Sequence, residues 1–264
     1  MTFSVSSTDF FVNAPFLQLD DGLLDLFLEY GLQPEIGLEG DAVYAKNITD
    51  FAGVAAQLKK NRLSCTLHAP FLDLAVGSSN PLIRQTSREK LRRAFELVAV
   101  FQPKVIVCHL GFEAGTLGDS QAEWFAQAKI TWAELLPIAA KHKAIVVFEN
   151  TYESNPQQHI RMLNELNSPY AGFCLDTGHV TAFAKNSWQD WLPVFDSLRH
   201  LHLHDNRGDA DEHLAVGAGT FDFNGFFNCL AERQVKPTVT IEPHTRDDLW
   251  SSLDSLREMG VLKQ

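Results

Sequence analysis

The chain has 264 residues, with 22 Lys plus Arg against 33 Asp plus Glu and a net charge of −11. With 45% hydrophobic and 21% charged residues there is material for one large core and too little charge for a disordered chain. The acidic balance argues against a chain that holds duplex nucleic acid by bulk charge, and no run approaches the ~18 consecutive apolar residues of a membrane span. The first residues, Met1 to Ser6, carry neither a basic nor an apolar signal region. Cys65, Cys108, Cys174 and Cys229 are scattered without a C-x-x-C pair. Together these features lead us to expect a cytoplasmic protein with buried free thiols.

Taken in chain order, short apolar runs alternate with longer amphipathic stretches. A strand is expected over 3–6, then a helix over 21–31 that begins with acids and stops at Gly31. Strands follow over 35–38 and 64–68. The helix over 81–101 has Asn80 as N-cap, Pro81 at its first position and an apolar face of Leu91, Phe95 and Val98. After a strand over 105–109, the helix over 120–142 presents Trp124, Ile130, Leu135 and Ile138. A strand over 145–149 precedes a helix opened by Asn155-Pro156 and running to Leu166. Strands over 172–176, 200–204 and 238–242 alternate with helices over 187–197, 222–235 (capped by Asp222) and 246–259. Near-continuous apolar strands fit a parallel sheet buried on both faces. The alternation, with no long linker, predicts one α/β domain over 1–264, a single (β/α)8 TIM barrel. The rival open sheet calls for a glycine-rich phosphate loop after the first strand, and Ser6-Ser7-Thr8-Asp9 is no such loop.

A barrel of this kind gathers its strand ends at one mouth. Those ends read His68, His109, Glu149, Asp176, His202 with His204, and Glu242. Imidazoles mixed with carboxylates are the ligand set of zinc or manganese. Crowded carboxylates repel unless a cation neutralises them. A divalent cofactor is therefore expected, and the histidines make magnesium and calcium the poorer choice.

The carrying motifs are Leu67-His68-Ala69-Pro70, Cys108-His109-Leu110-Gly111, Phe148-Glu149-Asn150-Thr151, Asp176-Thr177-Gly178-His179, His202-Leu203-His204-Asp205-Asn206, Asp211-Glu212-His213 and Ile241-Glu242-Pro243. With them the chain resembles the xylose-isomerase-like TIM-barrel superfamily, which holds sugar isomerases and epimerases and also endonuclease IV. The resemblance implies one metal on Glu149, Asp176, His202 and Glu242. The choice of His202 follows the family's His-x-x-Asp pattern, while strand alternation puts His200, His202 and His204 on one face. The endonuclease IV pattern adds His68, His109, His179, Asp211 and His213, for up to three ions.

Two chemistries follow. In a sugar or sugar-phosphate isomerase or epimerase, Glu149 and Glu242 move a proton beside a carbonyl through a metal-stabilised ene-diolate, and His179 binds a substrate oxygen. In an endonuclease-IV-like zinc phosphoester hydrolase, Glu149 bridges two ions and the substrate is small rather than DNA. Either way the partner is a small polar substrate, hydroxyl-bearing or phosphorylated, with no membrane. Arg207 is placed to clamp a phosphate or carboxylate, or to form a loop salt bridge. Gly217 and Gly219 suit a sharp approach to the site or an ordinary turn. Phe10-Phe11 and Tyr152 read as pocket mouth or as core and rim. His142 and His159 read as surface residues on helices, and His244 as a residue within reach of the mouth.

Overall fold

The structure, a computed structural model, describes residues 2–38, 42–112 and 121–262. Eight parallel strands close into a barrel in sequential order. They are β1 (Phe10–Pro15), β2 (Pro34–Gly37), β3 (Thr66–His68), β4 (Val105–His109), β5 (Ile145–Glu149), β6 (Ala171–Asp176), β7 (Leu198–Leu203) and β8 (Thr238–Ile241). The helices around it include α1 (Leu24–Tyr30), α2 (Ile48–Lys60), α3 (Pro81–Glu96), α4 (Gln121–Lys141), α5 (Gln157–Leu166), α6 (Phe223–Arg233) and α7 (Arg246–Glu258). No helix among the described residues is long and apolar enough to cross a membrane.

Seven strands fall where the apolar runs place them, within one or two residues. The first does not. Residues 3–6 make a single bridge, Val5 to Leu262, and β1 is Phe10–Pro15. Phe3 and Val5 are buried, but Ser4 and Ser6 are not, so this segment has one apolar face. A barrel strand is covered on both faces, and Phe10, Phe11 and Val12 are all buried as that requires. Phe10-Phe11 is therefore barrel wall. The helix expected over 21–31 starts later, because Gly22 sits at φ 103° and breaks the turn. Helix α2 is not among the stretches read as helices above. Its Asn47–Asp50 capping box and its Phe51, Val54 and Leu58 face account for it. The stretch 187–197 winds as a 3-10 helix, Trp188–Ser197, with Pro193 inside. Residue 120, where the pattern starts its helix, lies outside the described residues.

Two apolar regions hold the barrel. A large cluster lies between strands and helices, with Trp132, Phe148, Phe173 and Trp191 all but inaccessible. Burying each such ring is worth roughly 1.5–3 kcal/mol. A smaller one fills part of the barrel lumen with Val105, Val107, Val147 and Cys174. The cysteines are free, three buried and Cys229 half-buried.

Candidate active site

Parallel register brings the strand ends level. His109 is paired with Glu149 across β4 and β5, and Asp176 with His202 across β6 and β7. Glu149, at the end of β5, is 1% exposed and meets four imidazoles. Its Oε2 lies 3.2 Å from His68 Nε2 and 3.1 Å from His109 Nε2, and its Oε1 lies 3.2 Å from His202 Nδ1 and 3.3 Å from His179 Nδ1.

His202 Nδ1 is also 3.4 Å from Glu242 Oε1 and 3.8 Å from Asp176 Oδ2. Ligands sharing one cation at ~2.1 Å stand about 3–3.5 Å from each other, so this spacing fits a divalent ion. The four residues of the expected core set thus converge, with His202 Nδ1 common to all three carboxylates. His204 is turned to Asp176 instead, its Nε2 3.0 Å from Oδ1. Asp176 also accepts the His179 backbone N–H at 2.8 Å, which ties the strand end to the following turn.

The extended set shares the place. His179 donates Nδ1–H to the Asn150 carbonyl at 2.8 Å and His213 donates Nδ1–H to the Glu242 carbonyl at 3.1 Å. Both Nε2 atoms then face Asp211 Oδ2, at 3.4 and 3.2 Å. Backbone carbonyls so fix which nitrogen of each ring is offered. His204 Nδ1 and Asp211 Oδ1, 3.6 Å apart, are buried without a hydrogen-bond partner among the described residues. Such atoms suit a cation or a polar ligand.

The charges explain one another. Burial alone would push the Glu149 carboxyl up, but His202, His109 and His179 hold it well below the usual carboxylate range. Burial alone would lower His68, yet Glu149 lifts it to about 9, and Asp211 with Glu242 does the same for His213. Burial lowers His109.

A cavity of about 810 Å³ opens above the site, within the range usual for small-molecule pockets. Seven of the nine expected ligands line it, and Asp176 and His202 are fully buried beside them. Phe71, Leu72, Tyr152 and Phe183 give it an apolar rim, with Tyr152 63% exposed. His244 reaches the mouth and stacks on His213 at 4.1 Å. Arg207 does not take up the substrate-clamp position; its guanidinium pairs with Glu212 and its side chain is 63% exposed. Gly219 lies against the Asn206 carbonyl and donates its N–H to Asp205 at 2.8 Å, so this glycine shapes the β7 loop.

His159 is buried, not a surface residue. It packs inward on α5 with Met162 and Leu163, edge-on against the stacked Phe173 and Trp191, and bonds the Glu149 carbonyl at 3.1 Å. His142 is half-buried. Two residues escaped the sequence reading. Asn13, on the misplaced first strand, donates to Glu242 Oε1 at 3.3 Å. Glu35 is fully buried in β2 and touches His202 from below. The available signal was a lone acid inside an apolar strand.

Fold and side chains together define a (β/α)8 barrel with a histidine–carboxylate centre at its mouth. The family model of the xylose isomerase-like TIM barrel matches residues 35–263, and the chain belongs to that family. A protein of Methanocaldococcus jannaschii is 29% identical over 204 residues, covering 75% of this chain and 78% of its own. The ketose 3-epimerase of Arthrobacter globiformis is 26% identical over 164 residues, covering 59% of this chain and 54% of that protein. The crystal structure of a D-tagatose 3-epimerase-like protein superposes with a TM-score of 0.79 at 22% identity, covering 98% and 97% of the two chains.

Proposed function

We propose that this chain is a divalent-metal-dependent epimerase or isomerase of uncharged keto sugars. The observation that carries the reading is the approach of two buried glutamates to one point. Glu149 Oε1 and Glu242 Oε1 lie 3.2 and 3.4 Å from His202 Nδ1, at the floor of a ligand-sized cavity. Glu149, Asp176, His202 and Glu242 would hold the ion, with zinc or manganese suited to the donors, and it would polarise the substrate's carbonyl and neighbouring hydroxyl oxygens. One glutamate takes the proton from the carbon between them. The other returns a proton to the opposite face, giving the epimer, or to the neighbouring carbon, giving the isomer. Asn13 fixes the Glu242 carboxylate, and His179 Nε2 faces the substrate space beside Asp211. The apolar rim limits water at the reacting carbon. The names of the Arthrobacter relative and of the superposed structure support this reading.

The substrate carries no phosphate in this proposal. Among the described residues no Lys or Arg lines the cavity, the two internal stretches 39–41 and 113–120 contain none, and Arg207 is engaged by Glu212. A phosphoryl group would find no guanidinium or ammonium there to pair with.

The test is proton exchange. Metal-loaded protein in D2O should place deuterium beside the carbonyl of a neutral ketose, read by NMR, and act far more slowly on the ketose phosphate. Glu149→Gln should reduce exchange by about 10²–10⁴-fold and lower metal occupancy. Full metal and full turnover in Glu149→Gln would defeat the assignment. One observation favours a second reading, a phosphoester hydrolase: the convergence of His179 and His213 on Asp211. That reading requires two or three bound ions and cleavage of bis-nitrophenyl phosphate.

A further inference from the structure

Beneath the metal-ligand set lies a second polar layer inside the barrel. Glu35, on β2, is fully buried. Its Oε2 accepts the Thr66 hydroxyl at 2.7 Å, the Thr240 hydroxyl at 3.0 Å and His200 Nε2–H at 3.0 Å. His200 Nδ1 is 2.6 Å from the Thr238 hydroxyl, which also lies 3.2 Å from the Arg199 carbonyl. The other oxygen, Oε1, lies 2.8 Å from His202 Nε2. As placed, that N–H is not aimed along the line to Oε1, and neither atom has another hydrogen-bond partner among the described residues. His202 is therefore held between a carboxylate below, at Nε2, and the metal ligands above, at Nδ1.

We propose that Glu35 is the positioning residue of the metal centre: it holds the His202 proton on Nε2, so that the Nδ1 lone pair faces the ion. This inference rests on the metal-site reading of Glu149, Asp176, His202 and Glu242. A neutral imidazole has one donor and one acceptor nitrogen, and a carboxylate only accepts. With Glu35 ionised, the tautomer with Nε2–H is the one that satisfies both sides. The negative charge behind the ring also makes its free nitrogen a stronger ligand. A glutamine at this position reverses the arrangement. Its carbonyl must stay on the side of the two threonines and His200, which all donate, so its NH2 faces His202 Nε2. Nε2 then becomes the acceptor, the proton moves to Nδ1, and the lone pair is withdrawn from the ion. Burial of an acid in an otherwise apolar strand, costly in itself, thus has a consequence at the site above.

The experiment titrates metal-free wild type, Glu35→Gln and Thr66→Val with Mn²⁺ or Zn²⁺ by calorimetry. Wild type should bind; Glu35→Gln should bind about 10–100-fold more weakly. Thr66→Val removes one bond from the same carboxylate but leaves Oε1 against His202, so it should match wild type. Spectra of ¹⁵N-histidine-labelled protein should show the His202 proton on Nε2 in metal-loaded wild type and on Nδ1 in Glu35→Gln. Equal affinity in wild type and Glu35→Gln would overturn the inference while leaving the metal site intact. If Glu35→Gln does not fold, the wild-type spectrum decides, and a proton on Nδ1 in the metal-loaded protein would overturn it. Failure of wild type to bind any divalent ion would remove the metal-site reading and this one with it.

Discussion

At the scale of single residues, the site turns on which nitrogen faces which oxygen. His202 and His204 share a face of β7 by strand alternation, yet their neighbours differ. His202 Nδ1 lies 3.2 Å from Glu149, 3.4 Å from Glu242 and 3.8 Å from Asp176, whereas His204 Nε2 lies 3.0 Å from Asp176 and 3.7 Å from Glu242, with no ion-pair contact to Glu149 among the described residues. His202→Gln should weaken metal binding by more than about 100-fold. His204→Gln, acting through Asp176, should weaken it by about tenfold, as read by competition with a coloured chelator. Equal losses would move the ligand role toward His204. Gly178 is held to its size by the same ring, because a Cβ there would overlap His204. Gly178→Ala should cost about 1–3 kcal/mol in urea unfolding and disturb the Asp176–His204 contact.

At the scale of elements, β1 is the informative case. Segment 3–6 alternates and β1 does not, and only a strand covered on both faces joins the barrel. Phe3 stacks on Phe227 at 5.4 Å and the Val5 N–H reaches the Val261 carbonyl at 2.9 Å. This segment ties the chain start to its end, away from the mouth. Val5→Asp should therefore lower stability by about 2–3 kcal/mol, while metal affinity stays at the wild-type value. A parallel loss of metal would contradict that separation. Moving the first strand from 3–6 to Phe10–Pro15 brings Asn13 to Glu242, so one misplaced element hid one site residue.

At the scale of the whole molecule, the centre is a charge assembly that protons or metal can neutralise. Burial alone would lower His68 and His213, but the carboxylates lift both to about 9, against an unfolded value near 6.5. A raised folded pKa stabilises fully below the unfolded value, and the contribution is lost as pH rises through the folded one. Metal-free protein should lose thermal stability between about pH 6.5 and 9. Metal binding displaces these protons, so affinity should rise with pH, by about tenfold per unit for each proton released. Melting curves across this range should show a widening gap between metal-loaded and metal-free protein. A constant gap would mean that the ion does not compete with those imidazolium protons.

Local chemistry determined much of this protein. Apolar runs ending in His, Glu or Asp marked β3 to β8 and their ends, because a strand buried on both faces leaves a recognisable run and its last side chain meets the mouth. Asn80 and Asp222 marked helix starts because their side chains accept backbone N–H groups of the first turn, and Pro81 because its fixed φ suits the first helical position. What depends on contacts between distant segments was not legible. Glu35 and His202 are 167 positions apart, Asn13 and Glu242 are 229 apart, and no local pattern ties them. Arg207 was legible only as an open choice between a substrate clamp and a loop salt bridge, and it pairs with Glu212, five residues on in the same loop. Which imidazole nitrogen meets Glu149 and which acid lies beneath the site were decided only when the barrel closed, because closure brings side chains from strands far apart in sequence within reach of one another.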